Sequence, residues 1–157
     1  PRELSCMAYG SLLSGARGIY YFAQVPRTAE CLAEMRALCI ELDAISPALY
    51  SLEAAPEATS DQPALLLGAY HHQEQIWVVT VNTRGAPCTA RLRCAGVRGT
   101  VEVLFEGRQV EVGHGSWSDD FGPYERHVYR TALGATALQA SQRWQSQARV
   151  PRRGERS

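Results

Sequence analysis

Apolar residues recur at helical spacing over residues 2–14, where Leu4, Met7, Ala8 and Leu12 share a face and Gly15 stands where a helix stops. Residues 18–23 then run apolar without a break and are rich in β-formers, which fits a short strand buried on both faces; Pro26 closes it. From Thr28, a good N-cap with Glu30 in the first turn, the helical period returns. Leu32, Met35, Leu38, Cys39, Leu42 and Ile45 form one stripe, and Glu34, Arg36, Glu41 and Asp43 fall largely off it. Ser46-Pro47 is expected to end this helix, because the residue before a proline avoids the α region.

The period then vanishes. Residues 54–63 are small, polar and proline-bearing, and read as a linker. From Ala64 the period is two. Strands are expected at 64–70, 75–82, 88–94, 100–105, 109–112 and 124–131, with turns between them that mostly carry glycine. Short strands without helices predict an antiparallel all-β sandwich over residues 64–132. Trp77 alternates with Val79 and Val81, and Phe105 with Val101 and Val103, which predicts core-facing rings. Residues 133–157 are expected to be a disordered basic tail.

Composition narrows the class. The chain has 157 residues, 45% of them apolar, which is enough for a packed core of about one domain. No apolar run approaches the roughly 20 residues of a membrane span, and no basic segment leads into an apolar one at the front. The formal net charge is zero, but residues 1–133 hold 11 arginines against 15 acids, whereas residues 134–157 hold five arginines against one acid. Every basic residue is Arg. That bias suits a GC-rich genome and points to no nucleic-acid partner; the tail reads as a solvated end. Cys6, Cys31, Cys39, Cys88 and Cys94 show no CxxC pair and no zinc-ligand spacing with histidine. They read as reduced small hydrophobes, which favours a cytoplasmic setting.

Candidate chemistry is sparse. Glu3 at a helix start reads as a dipole partner. Asp119-Asp120 before Phe121-Gly122-Pro123 reads as a turn former. His71, His72 and His114 fall in turns, and His127 lies in the last strand on the face of Tyr129, where a buried imidazole needs only a partner or two. No nucleophile elbow, P-loop, dinucleotide fingerprint or EF-hand loop occurs, so no cofactor, metal or catalytic residue is assigned.

The order of these parts resembles a known family. Glu3-Leu4-Ser5-Cys6-Met7-Ala8-Tyr9 with Gly15-Ala16-Arg17-Gly18-Ile19-Tyr20-Tyr21-Phe22 resembles the last helix–strand unit of (β/α)8-barrel glycoside hydrolases. Glu41-Leu42-Asp43-Ala44-Ile45-Ser46-Pro47-Ala48-Leu49 looks like the end of their final barrel helix. The strands from Ala64, closing on the stretch from Trp117 to Arg130, resemble their trailing β-sandwich. The resemblance implies an α/β fragment over residues 1–53, the last helix–strand–helix of a (β/α)8 barrel, followed by the sandwich. It implies a parent that hydrolyses O-glycosidic bonds with two carboxylic acids at the ends of the fourth and seventh strands. This chain opens on a helix after the seventh strand and reads as the tail of a larger enzyme. No catalytic acid carries over, and the chain alone is expected to be inactive. Carbohydrate would be met through the rest of the barrel. Ligand-facing positions lie at the C-terminal ends of barrel strands. Here these include Tyr21, Phe22 and Gln24, rings and an amide suited to a sugar; Tyr21 alone, or Tyr20 with Phe22, would otherwise pack a core. Trp117, Phe121 and Tyr124 are expected to clamp the sandwich to the barrel helix near Leu42 and Leu49. The alternatives are a non-enzymatic carbohydrate-binding or structural sandwich module, and a barrel that has lost its acids.

Overall fold

The computed structural model describes residues 1–21 and 28–131 of the chain. The expected basic tail, Phe22 and Gln24 lie outside the described residues.

Helix α1 spans Arg2–Leu13. It ends as Gly15 predicts: Gly15 takes a φ of +100°, its N–H donates to Leu12 O, and the Ala16 N–H donates to Ser11 O, the Schellman pairing. Residues 18–21 form no strand, and the remainder of the expected 18–23 strand is not described. Helix α2 spans Ala29–Leu49, and the Thr28 hydroxyl caps it by accepting from the Cys31 N–H at 3.2 Å. It does not end at Ser46. Pro47 has no N–H to offer Asp43 O, four residues back, but the Ser46 hydroxyl donates to that carbonyl at 3.0 Å and the helix continues for another turn.

Eight strands follow: β1 (Ala58–Ser60), β2 (Leu65–His72), β3 (Gln75–Asn82), β4 (Cys88–Cys94), β5 (Gly99–Val103), β6 (Arg108–Val112), β7 (Ser116–Phe121) and β8 (Arg126–Thr131). They form an antiparallel three-stranded sheet of order β1-β4-β7 and an antiparallel five-stranded sheet of order β2-β3-β8-β5-β6. The turn between β2 and β3 is only Gln73-Glu74, both at positive φ, the left-handed conformation a two-residue hairpin demands. Strand β1 falls inside the segment read as a linker, and its pairing Thr59 to Arg93 fixes that segment to β4.

The facing sides of the two sheets enclose one core, with Leu65, Val78, Leu92, Val101, Val103, Trp117, Phe121 and Tyr129 among its members. Both helices lie on the outer face of the five-stranded sheet. There Ala8, Tyr9, Leu38, Ile45 and Ala48 bury Trp77, Val79, Val81 and Val128 in a second core. Gly68 permits the close approach of α1, since a Cβ at that position would lie 2.9 Å from Leu13 Cδ2. The result is three layers: helices, five strands, three strands.

This layering corrects several expectations. Trp77 faces the helices and not the sandwich core, because β3 is buried on both sides and its alternation distributes residues between two cores. Trp117 and Phe121 pack between the sheets, not against α2, since β7 is a strand of the three-stranded sheet and the helices sit across the other one. Asp119-Asp120 lies inside β7 and is not a turn. Phe105 is half exposed at a φ of +69°, because β5 ends at Val103 and the alternation stops with it.

Candidate functional site

Of the three residues singled out for sugar contact, the described residues include only Tyr21. It is half-buried, and with Ile19 it packs against the helix-side core, while Tyr20 between them is exposed. The Tyr21 hydroxyl is shielded from solvent and has no hydrogen-bond partner among the described residues. Burial raises its pKa, and Cys39 on α2 adds to the shift.

Two charged clusters stand out. The first joins helices to sheet. Arg126 on β8 points at the helices and grips Glu41 of α2 with two bonds, Nε to Oε2 at 2.7 Å and Nη2 to Oε1 at 2.6 Å. Its Nη1 donates to Glu34 Oε1 at 3.2 Å. The Tyr9 hydroxyl of α1 donates to Glu41 Oε2 at 2.9 Å, Ser5 bonds Glu34, and the guanidinium lies 5.5 Å from the Tyr9 ring centre. Burial works against the Arg126 charge, and the Glu41 hydrogen bonds and charge more than restore it, so its pKa is raised. Burial first, and the Glu41 charge second, hold the Tyr9 phenol neutral. One arginine, a phenol and a hydroxyl hold the two carboxylates. They clamp both helices to the five-stranded sheet.

The second cluster lies at one end of the sandwich. Arg108 on β6 forks onto Asp119 of β7 at 3.1 and 2.8 Å and donates from Nε to Glu106 at 2.7 Å. The Tyr129 hydroxyl donates to Asp119 at 2.8 Å. His127 is 4% exposed; its Nδ1 lies 2.5 Å from Glu106 Oε1 and its Nε2 lies 3.1 Å from Asp120 O. The rings of Phe121, His127 and Tyr129 pack in series. His127 is thus held by two partners, as a buried structural imidazole requires.

The clamp is not legible in the local pattern of the sequence. By period alone Glu34 and Glu41 fall among the polar positions, yet they share a face with Leu38, Ile45 and Ala48 on α2. The spacing 34, 38, 41, 45, 48 is the readable signal: two acids embedded in a buried helical stripe call for a cation from the opposing layer.

The five cysteines are free thiols, and burial pushes Cys94 up to about 11. Among the described residues no group of three or more His, Cys, Asp or Glu side chains is arranged to hold a metal ion, and no helix is long and apolar enough to cross a membrane.

No protein-family model and no curated protein matches the chain. Solved structures do. The chain is similar to an AmyP variant in complex with maltotriose, at 16% identity and a TM-score of 0.52 over 72% of this chain and 23% of that one. It is also similar to an Anoxybacillus α-amylase described as belonging to a new glycosyl hydrolase subclass, at 17% identity and a TM-score of 0.51 over 81% of this chain and 28% of that one. The likeness is one of fold, and this chain spans about a quarter of the length of those enzymes. The fold of the chain is therefore like that of part of a glycoside hydrolase: antiparallel sheets with a small helical layer.

Proposed function

We propose that this chain is the closing part of a glycoside-hydrolase-like protein. In this reading α1, the segment after it and α2 are the last helix–strand–helix of a (β/α)8 barrel, and the sandwich is the buttress on which they rest. The catalytic acids belong to the preceding strands. Tyr21, Phe22 and Gln24 are the residues of this chain that would meet the sugar in the whole barrel, and the chain alone hydrolyses nothing.

The observation that carries this reading is the half-covered stripe of α2. The sheet buries Leu38 and Ile45 but leaves Leu32, Cys39 and Ile40 exposed, Ile40 by 69%. On α1, Met7 is likewise 69% exposed on the side opposite Ser5 and Tyr9. Helices that are apolar on the far side as well as the near side are helices made to sit between two layers. The sandwich is one layer, and the rest of a barrel supplies the other. The similarity to amylase structures supports the same reading. The alternative, a carbohydrate-binding module, rests on Phe105, whose exposed ring lines a cavity of about 300 Å³ with Arg2, Glu34, Glu41, Glu106 and Arg126.

The test is made on the isolated 157-residue chain. It should bind a hydrophobic dye such as ANS while folded. Met7→Glu with Ile40→Glu should remove most of that signal at little cost in stability, within about 0.5 kcal/mol, because both side chains are solvated. Dye binding that is absent in the parent chain, or unchanged in the double variant, contradicts the reading.

A further inference from the structure

A second cavity lies away from the helices. It is a groove of about 1050 Å³ at the end of the three-stranded sheet, floored by strand residues and rimmed by the loops at 94–98 and 113–116. Gly115, at a φ of +75°, lets the two loops meet: the Cys94 N–H donates to Gly115 O at 2.9 Å, and a Cβ on Gly115 would lie 3.1 Å from Cys94 O. The strand register builds the floor. Thr59, Arg93 and Ser116 stand abreast on β1, β4 and β7, and Arg91 stands abreast of Ser118. Arg91 and Arg93 are two residues apart on one strand, so they leave the same face about 7 Å from each other. Arg98 and His114 add to the rim.

These cations are uncommitted. Arg108, Arg126 and Arg130 each hold a carboxylate, whereas Arg91, Arg93 and Arg98 have none within ion-pair distance among the described residues. Asp61, next to Arg91, spends one carboxylate oxygen on the Arg91 backbone N–H at 2.8 Å. One acid, Glu57, lines the groove against three guanidinium groups. The Ser116 hydroxyl, shielded from solvent, has no hydrogen-bond partner among the described residues.

We infer that this groove binds an acidic glycan, a sugar chain carrying carboxylate groups. Arginine forks match carboxylates two bonds at a time, and the hydroxyls of Thr59 and Ser116 suit the neutral hydroxyls of the same chain. The lining holds no Trp, Tyr, Phe, Leu or Met. It therefore lacks the aromatic anchors of a protein hot spot and the rings on which single-stranded nucleic acid stacks. This goes beyond the barrel reading and stands without it.

The probe is polygalacturonate, with amylose as the neutral comparison and single-stranded DNA as the comparison polyanion. The full chain should bind polygalacturonate at low salt, hold it more tightly than either comparison, and bind amylose weakly or not at all. Arg91→Ser with Arg93→Ser should weaken polygalacturonate binding by about tenfold or more and flatten its salt dependence by about two ion equivalents. The thermal melt should stay in place, since neither side chain has a partner to lose. Arg152→Ser with Arg153→Ser, in the basic tail, should leave binding in place. The inference is overturned if the full chain does not bind, if the groove variant binds as the parent does, if the tail variant alone loses binding, or if DNA binds as tightly as polygalacturonate.

Discussion

Replacing Arg126 by Met should destabilise the chain by about 3–5 kcal/mol, the cost of leaving buried charge without its partner. Arg126 side-chain exposure is 17%, and those of Glu34 and Glu41 are 20% and 12%, so water reaches none of the three freely. Without the guanidinium, Glu41 keeps only the Tyr9 hydroxyl and Glu34 only Ser5. The two carboxylates also share one helix face seven residues apart, where they repel. The loss should be read in the urea midpoint with an unchanged slope. A second variant separates charge from packing: Arg126→Met combined with Glu34→Gln and Glu41→Gln should recover about half the loss or more, because the neutral amides no longer need a cation. A loss below about 1 kcal/mol in the single variant would mean that the clamp is solvated like a surface pair and does not fasten helices to sheet.

Stability should also fall as the pH rises above neutrality, and His127→Gln should abolish that fall. Both ring nitrogens of His127 face acceptors, the Glu106 carboxylate and the Asp120 carbonyl. A neutral imidazole carries one N–H and leaves one of these contacts unmade. Burial opposes the charged ring, but the hydrogen bond and charge of Glu106, then the Asp120 carbonyl and the Asp119 charge, outweigh it, and the His127 pKa is raised. Every charged group around the ring enters this balance: Glu106 from the β5–β6 turn, Arg108 from β6 at 3.5 Å, Asp119 from β7, and Glu125 at 3.9 Å ahead of β8. A raised pKa gives stability that is fully present below the unfolded value of about 6.5 and is lost as the pH climbs through the folded one. Glu106 runs the other way. Burial raises its pKa, but the His127 and Arg108 hydrogen bonds bring it below the ordinary value, so its contribution is present above about 4.3 and is lost as the pH falls through the folded value. The chain should be most stable between those limits. It should lose on the order of 1–3 kcal/mol on the alkaline side, the worth of one charged hydrogen bond. Melting curves from pH 5 to pH 9 read this directly; a flat profile in the parent chain, or an unchanged slope in His127→Gln, contradicts it.

What the sequence made legible follows period and end signals. Strands β3 and β4 keep their expected bounds, Gln75–Asn82 and Cys88–Cys94, because β4 alternates cleanly, β3 is a run of β-formers, and turn residues flank both. Gly15 and Thr28 do at the helix ends what their chemistry predicts. What escaped depends on partners distant in sequence. Strand β7 carries two adjacent aspartates, a pattern that reads as a turn until Arg108 is seen neutralising the inward-facing Asp119. Pro47 reads as a stop until Ser46 is seen taking the carbonyl it abandons. Trp77 reads as a core ring, but alternation cannot say which of two cores. The pairing of Glu34 with Arg126 spans 92 residues, and no local pattern joins them. Of the sugar-contact residues, Tyr21 is found half-buried beside α2, an orientation its apolar run could not specify.

The most direct measurement is of hydrolysis by two proteins side by side: the product of the whole reading frame that encodes this chain, and the 157-residue chain alone. Both are given a panel of O-glycosides and polysaccharides. The account predicts glycosidic-bond hydrolysis by the first, lost when either of two upstream carboxylic acids is replaced by its amide, and none above buffer by the second. Turnover by the isolated chain that disappears when one of its own acids is substituted, or a whole product that hydrolyses no glycoside, would contradict it.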